Sequence, residues 1–234
     1  MQVFYAPSAL NGIFSLPFEE TIHCLKVLRH KQGDTVLVTN GKGLLIEGLI
    51  NDENPAGVQI QAVNIITDSK QPQFNMHIAI SPLKNVSRLE WFVEKAVELR
   101  TFQITPLICH RTEKRKVRTD RLQKIALEAM KQSMFEFLPQ INNPVKFEDF
   151  VKTELNGFSK YIATCTGNER TNLSGEESKN VVVLIGPEGD FSNEEIQIAT
   201  KTGFKPLMLG NSRLRTETAG VFVSALMYYK NIKK

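Results

Sequence analysis

The sequence predicts an α/β protein in two parts, a small all-β unit over residues 1–70 and a larger α/β domain over 74–234. Two observations carry that class. From Phe74 onward, short β-branched or apolar runs alternate with longer stretches of helical periodicity, the pattern of a mostly parallel sheet covered on both faces. Near the C-terminus, VVVLIGPEGDFSNEE (Val181–Glu195) and PLMLGNSRLRTETAG (Pro206–Gly220) repeat one plan: apolar strand, glycine-containing loop, helix start. Two such loops from one sheet make a ligand site at the carboxyl ends of its strands, and that geometry points to an enzyme.

The elements follow in order. A short helix is expected at Glu19–Leu28, ending before Gly33-Asp34. Val36–Thr39 and Leu44–Ile46 flank Asn40-Gly41-Lys42-Gly43, a strong hairpin signal. Leu49–Ile50 and Val58–Ile66 continue the strand pattern, and Lys70-Gln71-Pro72-Gln73 reads as a linker. Phe74–Ser81 is a strand, and Ser87–Arg100 places Leu89, Phe92, Val93, Ala96 and Val97 on one helical face. Phe102–Cys109 is a strand; Leu122, Ile125, Ala126, Ala129, Met130 and Ser133 form the inner stripe of a longer helix. A short helix near Phe147–Leu155 and a strand at Tyr161–Cys165 precede the two paired segments. In the first of these, Val181–Ile185 is a buried parallel strand stopped by Gly186, Pro187 and Gly189. Ser192 with Glu195 is a capping box. In the second, Leu207–Leu209 is the strand, Gly210–Arg215 the loop, and about Thr216–Lys230 an apolar last helix.

At 234 residues the chain can bury a sizeable core, and no apolar run approaches the ~20 residues needed to span a bilayer. The N-terminal MQVFYAPSAL lacks the basic and apolar regions of a signal peptide, so a cytoplasmic protein is expected. Cys24, Cys109 and Cys165 are widely spaced and odd in number, which reads as buried free thiols. Neither they nor the four histidines show metal-ligand spacing, so no metal is expected. His77, in a strand, reads as a satisfied core or edge residue. Dinucleotide-binding, P-loop and nucleophile-elbow motifs are missing. The net charge of +4 is modest, but Arg111, Lys114, Arg115, Lys116, Arg118, Arg121 and Lys124 crowd one short stretch against Glu113 and Asp120. Such a surplus can neutralise several phosphates; it is equally the composition of a solvated loop.

Gly186 and Gly189 permit close backbone approach, and Arg215 and Glu217 stand at a loop–helix junction with free backbone N–H donors. At Leu184-Ile185-Gly186-Pro187-Glu188-Gly189, and at Leu209-Gly210 with Leu214-Arg215-Thr216-Glu217-Thr218-Ala219, the chain resembles SPOUT-class RNA methyltransferases, and among them the RsmE family. His23 with Val27-Leu28-Arg29 and Gly33-Asp34 resembles that family's N-terminal PUA-like barrel. Lys95-Ala96-Val97-Glu98-Leu99, Thr105-Pro106-Leu107 and Glu128-Ala129 with Gln132-Ser133 extend the likeness along nearly the whole chain.

The resemblance implies a PUA-like β-barrel followed by a SPOUT-type α/β domain with a trefoil knot, where the pattern alone suggests an unknotted sheet. It implies an S-adenosyl-L-methionine-dependent enzyme that methylates N3 of a uridine in the decoding region of 16S ribosomal RNA, and a homodimer formed through the knot region. The cofactor-binding residues would be Leu184, Ile185, Gly186, Pro187, Glu188, Gly189, Leu209, Gly210, Leu214, Arg215, Thr218 and Ala219. Uridine N3 carries a proton at neutral pH that must leave before or during attack; a carboxylate within reach could accept it, and Glu217 and Glu188 are the candidates. Arg215 would orient the uracil and its phosphate. Arg29, Lys31, Arg111, Lys114, Arg115, Lys116, Arg118 and Arg121 would grip RNA backbone around a base splayed from its stack.

Three places depart from the family pattern. Asp190 and Arg100 stand where glycine is common, and Met134-Phe135 follows Gln132-Ser133 where an arginine often appears. The last two bear on RNA contacts, not on the cofactor loops. The competing readings are a SPOUT enzyme acting on another RNA base and a catalytically inactive RNA-binding ribosome-assembly factor.

Overall fold

The computed structural model describes residues 3–166, 171–173 and 175–232. The chain forms two compact units. The first runs to Pro72 and includes Leu127–Leu138; the second comprises Gln73–Ala126 and the chain from Pro139 on.

In the first unit, β1 (Val3–Tyr5) and β2 (Ile13–Ser15) precede α1 (Phe18–Ile22), which passes into a π-helical turn over His23–Val27. The helix expected at Glu19–Leu28 is thus two kinds of helix in series. β3 (Thr35–Thr39), β4 (Leu44–Asp52) and β5 (Gln59–Asp68) follow, and the sheet order is β1-β3-β4-β5-β2. The β1–β3 pair is parallel and the rest antiparallel. Leu44–Ile46 and Leu49–Ile50 belong to one strand whose ladder shifts register beside β5, which explains its broken sequence pattern. Phe4, Phe14, Val36, Val38, Ile46, Ile50 and Ile60 fill the core.

The hairpin at Asn40–Gly43 is held by the Asn40 side-chain oxygen, which accepts from the Lys42 and Leu44 amides. Gly43 has φ 104°, and a Cβ there would lie 1.8 Å from the Ser69 carbonyl oxygen, so only glycine fits. Its amide donates to the Glu136 carbonyl, and the Leu138 amide donates to that of Gly41. Lys131, almost fully buried, ion-pairs with Glu20 and Glu128, both at 2.9 Å. Burial works against its charge, but the two carboxylates prevail and hold its pKa above the usual lysine range. These contacts tie Leu127–Leu138, which the sequence places inside the second part, to the first unit.

The second unit holds β6 (Asn75–Ile80), α2 (Val86–Glu98), β7 (Gln103–Ile108) and the start of α3 (Thr119–Gln132). Then come β8 (Gln140–Ile141), β9 (Val145–Lys146), α4 (Phe147–Phe150), β10 (Ser159–Ala163) and β11 (Asn180–Ile185). α5 (Asn193–Lys201), β12 (Lys205–Leu207) and α6 (Thr216–Asn231) complete it. Among the described residues the sheet order is β12-β10-β11-β6-β7-β8, with β9 also on β7, and every pairing is parallel. The helix expected over Phe147–Leu155 is a single turn, and the last strand ends at Leu207, two residues short of Leu209.

β11 enters between β10 and β6 and is the most enclosed strand; Val181–Leu184 are fully buried. α6 packs on α2 and β6 through Gly220, where a Cβ would lie 2.4 Å from the Phe92 ring. His77 on β6 is buried; one ring nitrogen meets the Thr105 hydroxyl at 2.8 Å, while Nδ1 has no hydrogen-bond partner among the described residues. The histidine expected to be satisfied is therefore half satisfied, and burial pushes its pKa down to about 4. Among the described residues, no helix is long and apolar enough to cross a membrane.

Candidate functional site

Ala163 pairs with Ile185 on one side and with Leu207 on the other, so β10, β11 and β12 end level with one another. The loops that leave them therefore open onto one space, at the place where the strand order reverses. That space is a cavity of about 750 Å³, within the range of small-molecule sites. Its walls are Ala163–Thr166 after β10, Ile185–Phe191 with Asn193 after β11, and Leu207 with Leu209–Thr216 and Ala219 beyond β12. Arg111 closes one side.

Each wall has a local cause. The Asp190 amide donates to the Pro187 carbonyl, and Asp190 itself sits at φ 63°. That backbone position favours glycine; here Asp190 holds it with its carboxylate, which accepts from the Phe191 and Cys165 amides and the Thr164 hydroxyl. A Cβ on Gly186 would press on the Phe191 ring at 3.0–3.1 Å, so any larger residue there pushes that ring aside. The Thr216 hydroxyl donates to the Gly186 carbonyl at 2.9 Å and fixes the start of α6 against the β11 loop. Arg213 donates to the Glu188 carbonyl at 3.2 Å.

The expected capping box is present: Ser192 accepts from the Glu195 amide, and Glu195 accepts from the Ser192 amide at 2.8 Å. The other oxygen of Glu195 accepts from the His110 amide, also at 2.8 Å, so one buried carboxylate joins α5 to the loop after β7.

Of the residues read from sequence as cofactor-binding, Ile185, Gly186, Pro187, Glu188, Gly189, Leu209, Gly210, Leu214, Arg215 and Ala219 line the cavity. Leu184 packs inside the sheet core and Thr218 lies on the exposed side of α6; neither is part of the lining. The two candidate carboxylates part company. Glu188 is exposed at the cavity, whereas Glu217 is buried beside α2, with one oxygen 3.7 Å from the Arg88 Nε and the other without a partner among the described residues.

The basic residues also divide. Arg118 pairs with Asp120, and Arg121 makes a two-pronged contact with Glu90. Lys114, Arg115 and Lys116 are exposed. Arg29 and Lys31 are exposed in the first unit; Arg29 has φ 60°, and the Lys31 amide is held by Asp34. That hydrogen bond, with His30, holds the Asp34 carboxyl below the usual carboxylate range.

Sequence reasoning missed the β10 loop as a wall of the cavity, and it placed Arg111 on RNA alone. Cys165 corrects one expectation: it is exposed at the cavity, two residues beyond the end of β10, while Cys24 and Cys109 are buried. Burial pushes the Cys24 thiol up to about 11. Among the described residues no cluster of three or more His, Cys, Asp or Glu could hold a metal ion.

A family model described as RNA methyltransferase domain matches residues 69–228. The ribosomal RNA small subunit methyltransferase E of Mesomycoplasma hyopneumoniae is 28% identical over 87% of this chain and 88% of its own length. The crystal structure of a probable rRNA-methyltransferase from Porphyromonas gingivalis has a TM-score of 0.86 and 32% identity, covering 98% of each chain. That of a ribosomal RNA small subunit methyltransferase E from Neisseria gonorrhoeae, bound to S-adenosyl methionine, has a TM-score of 0.86 and 26% identity, again over 98% of each chain.

Proposed function

The chain belongs to the RNA methyltransferase domain family, and on that premise we propose that it methylates N3 of a uridine in the decoding region of 16S ribosomal RNA, with S-adenosyl-L-methionine as donor. The observation that carries this reading is the cavity where the ends of β10, β11 and β12 meet. Support comes from the S-adenosyl methionine-bound Neisseria relative, which shares the fold over 98% of the chain, and from the E-type small subunit methyltransferases among its relatives.

The residues present fit that cofactor. The β11 and β12 loops offer backbone N–H and C=O groups at Gly186–Gly189 and Leu209–Gly210 beside the apolar side chains of Ile185, Leu207, Leu209 and Leu214, as a purine nucleoside requires. Gly210, at φ 113° with open space around its missing side chain, lets the backbone turn toward the ligand. When bound, the cofactor supplies an electrophilic methyl group on a sulfonium.

The rest is the work of the chain's own side chains. Glu188, the one of the two candidate carboxylates that lines the cavity, would take the N3 proton of the uridine, so that N3 can accept the methyl group as its bond to sulfur breaks and leaves a neutral thioether. Arg215, the N-cap residue of α6, holds the uracil oxygens on which negative charge develops, and the α6 N-terminus adds its own partial positive charge. Glu217, buried in the first turn of α6, faces Arg88 of α2 and links the two helices. Lys114, Arg115 and Lys116, with Arg29 and Lys31, hold phosphates. The five-stranded first unit serves as a PUA-like RNA-binding barrel; the second carries a trefoil knot through which two copies pair, and the protein works in the cytoplasm.

Calorimetric titration with S-adenosylmethionine and S-adenosylhomocysteine tests the core of the reading. Micromolar binding, about 8 kcal/mol, is expected for the wild type, and Gly186→Trp, whose side chain cannot coexist with the Phe191 ring, abolishes it. Nucleoside analysis of unmodified small subunits incubated with enzyme and donor then shows N3-methyluridine. Cofactor binding with a different methylated base sinks the uridine assignment alone. Absence of binding by folded protein sinks the methyltransferase reading and leaves an RNA-binding assembly factor.

A further inference from the structure

Arg111 opens the basic stretch in the sequence, yet its side chain faces the β11 loop. Its Nη1 lies 2.5 Å from the Gly189 carbonyl oxygen and 3.4 Å from that of Phe191. Its Cδ passes 3.3 Å from where a Gly189 Cβ would stand, so the missing side chain of Gly189 makes room for the Arg111 stem.

The backbone beneath is held as firmly. The Cys109 amide donates to the Thr112 hydroxyl, the Thr112 amide to the Cys109 carbonyl, and the His110 amide to the buried Glu195. Thr112 in turn meets the Ser81 hydroxyl at 2.7 Å. The guanidinium is thus presented from a fixed root to two carbonyls of the loop that forms a cavity wall. Lys114, Arg115 and Lys116, a few residues on, are exposed and have no such engagement among the described residues.

We infer that Arg111 is a positioning residue for the cofactor loop and not an RNA contact: it fixes the Gly189–Phe191 backbone, while the RNA grip of this segment belongs to Lys114, Arg115 and Lys116. The inference rests on the methyltransferase reading above. Both carbonyls are met by Nη1, which stands one bond farther along the side chain than a lysine ammonium, so lysine on the same fixed root falls short of them. A phosphate contact would tolerate lysine.

The crossed test uses Arg111→Lys, with Arg111→Ala as the second variant, against a combined Lys114→Ala, Arg115→Ala, Lys116→Ala variant. S-adenosylhomocysteine affinity is read by calorimetry, and affinity for a 16S decoding-region RNA fragment is read across a salt series. Arg111→Lys weakens S-adenosylhomocysteine about tenfold, the scale of losing a charge-assisted hydrogen bond, and leaves RNA affinity and its salt slope as in wild type. The triple variant keeps wild-type S-adenosylhomocysteine affinity and reduces the slope of log K against log salt by about 2–3, close to one per lost phosphate contact.

Wild-type S-adenosylhomocysteine affinity in both Arg111 variants overturns the inference, as does a salt slope that falls in Arg111→Ala as it would for a lost phosphate contact while Arg111→Lys restores it. Wild-type protein that binds no S-adenosylhomocysteine overturns the functional reading itself, and this inference with it.

Discussion

Replacing Gly220 by alanine sets two effects of known size against each other. Gly220 sits inside α6, where alanine is favoured over glycine by about 1 kcal/mol on helix propensity. The added methyl carbon, however, would stand 2.4 Å and 2.7 Å from two carbons of the Phe92 ring and 3.2 Å from the Ile80 side chain. Ordinary carbon contacts lie at roughly 3.5–4.0 Å, so ring and helix must separate by about 1 Å. Phe92 and Ile80 are fully buried, which leaves the ring nowhere cheap to go. Overpacking of this kind costs about 1–3 kcal/mol, and once propensity is credited the expected loss is about 1 kcal/mol. Urea unfolding should show a lower midpoint with an unchanged slope, the signature of a stability change in an otherwise similar fold. Because the same helix begins with the cavity residues Thr216 and Ala219, S-adenosylhomocysteine affinity should fall as well. A Gly220→Ala protein as stable as wild type, or more stable, would refute this account of how α6 packs on α2.

Two further outcomes follow from the structure. Met134 caps α3 at φ 52° with its side chain half exposed, so Met134→Gly should raise the urea midpoint by about 1 kcal/mol in stability; a loss would mean that the side chain packs more than its exposure implies. His77 is held neutral in the fold at a pKa of about 4 but titrates near 6.5 when unfolded, so the unfolded chain binds the extra proton. Stability is therefore full above about pH 6.5 and falls by about 3 kcal/mol toward pH 4; His77→Leu should flatten that limb of a pH series of unfolding curves, and an unchanged limb would assign it to other groups.

The parts of the site written in local chemistry were legible. The run Val181–Ile185 followed by Gly-Pro-Glu-Gly and the Ser192–Glu195 box needs no partner to be read, because strand, stop and cap each depend on neighbours in sequence. The start of α6 at Thr216 was legible for the same reason. The third wall of the cavity was not. Thr164–Thr166 faces the ligand space only because β10 lies between β11 and β12, and that order is a property of the whole sheet. The first two strands and β8 and β9 are two or three residues long, too short to carry any period. Glu217 reads from sequence as a candidate proton acceptor at the loop–helix junction; that it is buried near Arg88 of α2 depends on how α6 packs, which no local pattern carries.

The three departures from the family pattern acquire a common cause in the backbone. Arg100, Met134 and Asp190 all have positive φ, at 61°, 52° and 63°. After α2, the Arg100 amide returns to the Val97 carbonyl and the Thr101 amide to that of Ala96; after α3, the Met134 and Phe135 amides return to Lys131 and Met130. Both are the paired hydrogen bonds of a helix terminated by a left-handed residue, where glycine is the unstrained choice. Glycine at the first of these places is thus the backbone's preferred choice, and Arg100 holds the same conformation at a cost in stability. Asp190 differs from the other two because its side chain answers the strain: of three hydrogen bonds to its carboxylate, those from Thr164 and Cys165 join the β10 and β11 loops across the cavity wall, and the third holds its own neighbour Phe191. A glycine in its place would relax the backbone and release that link, so in this chain the aspartate exchanges local comfort for a better-defined site.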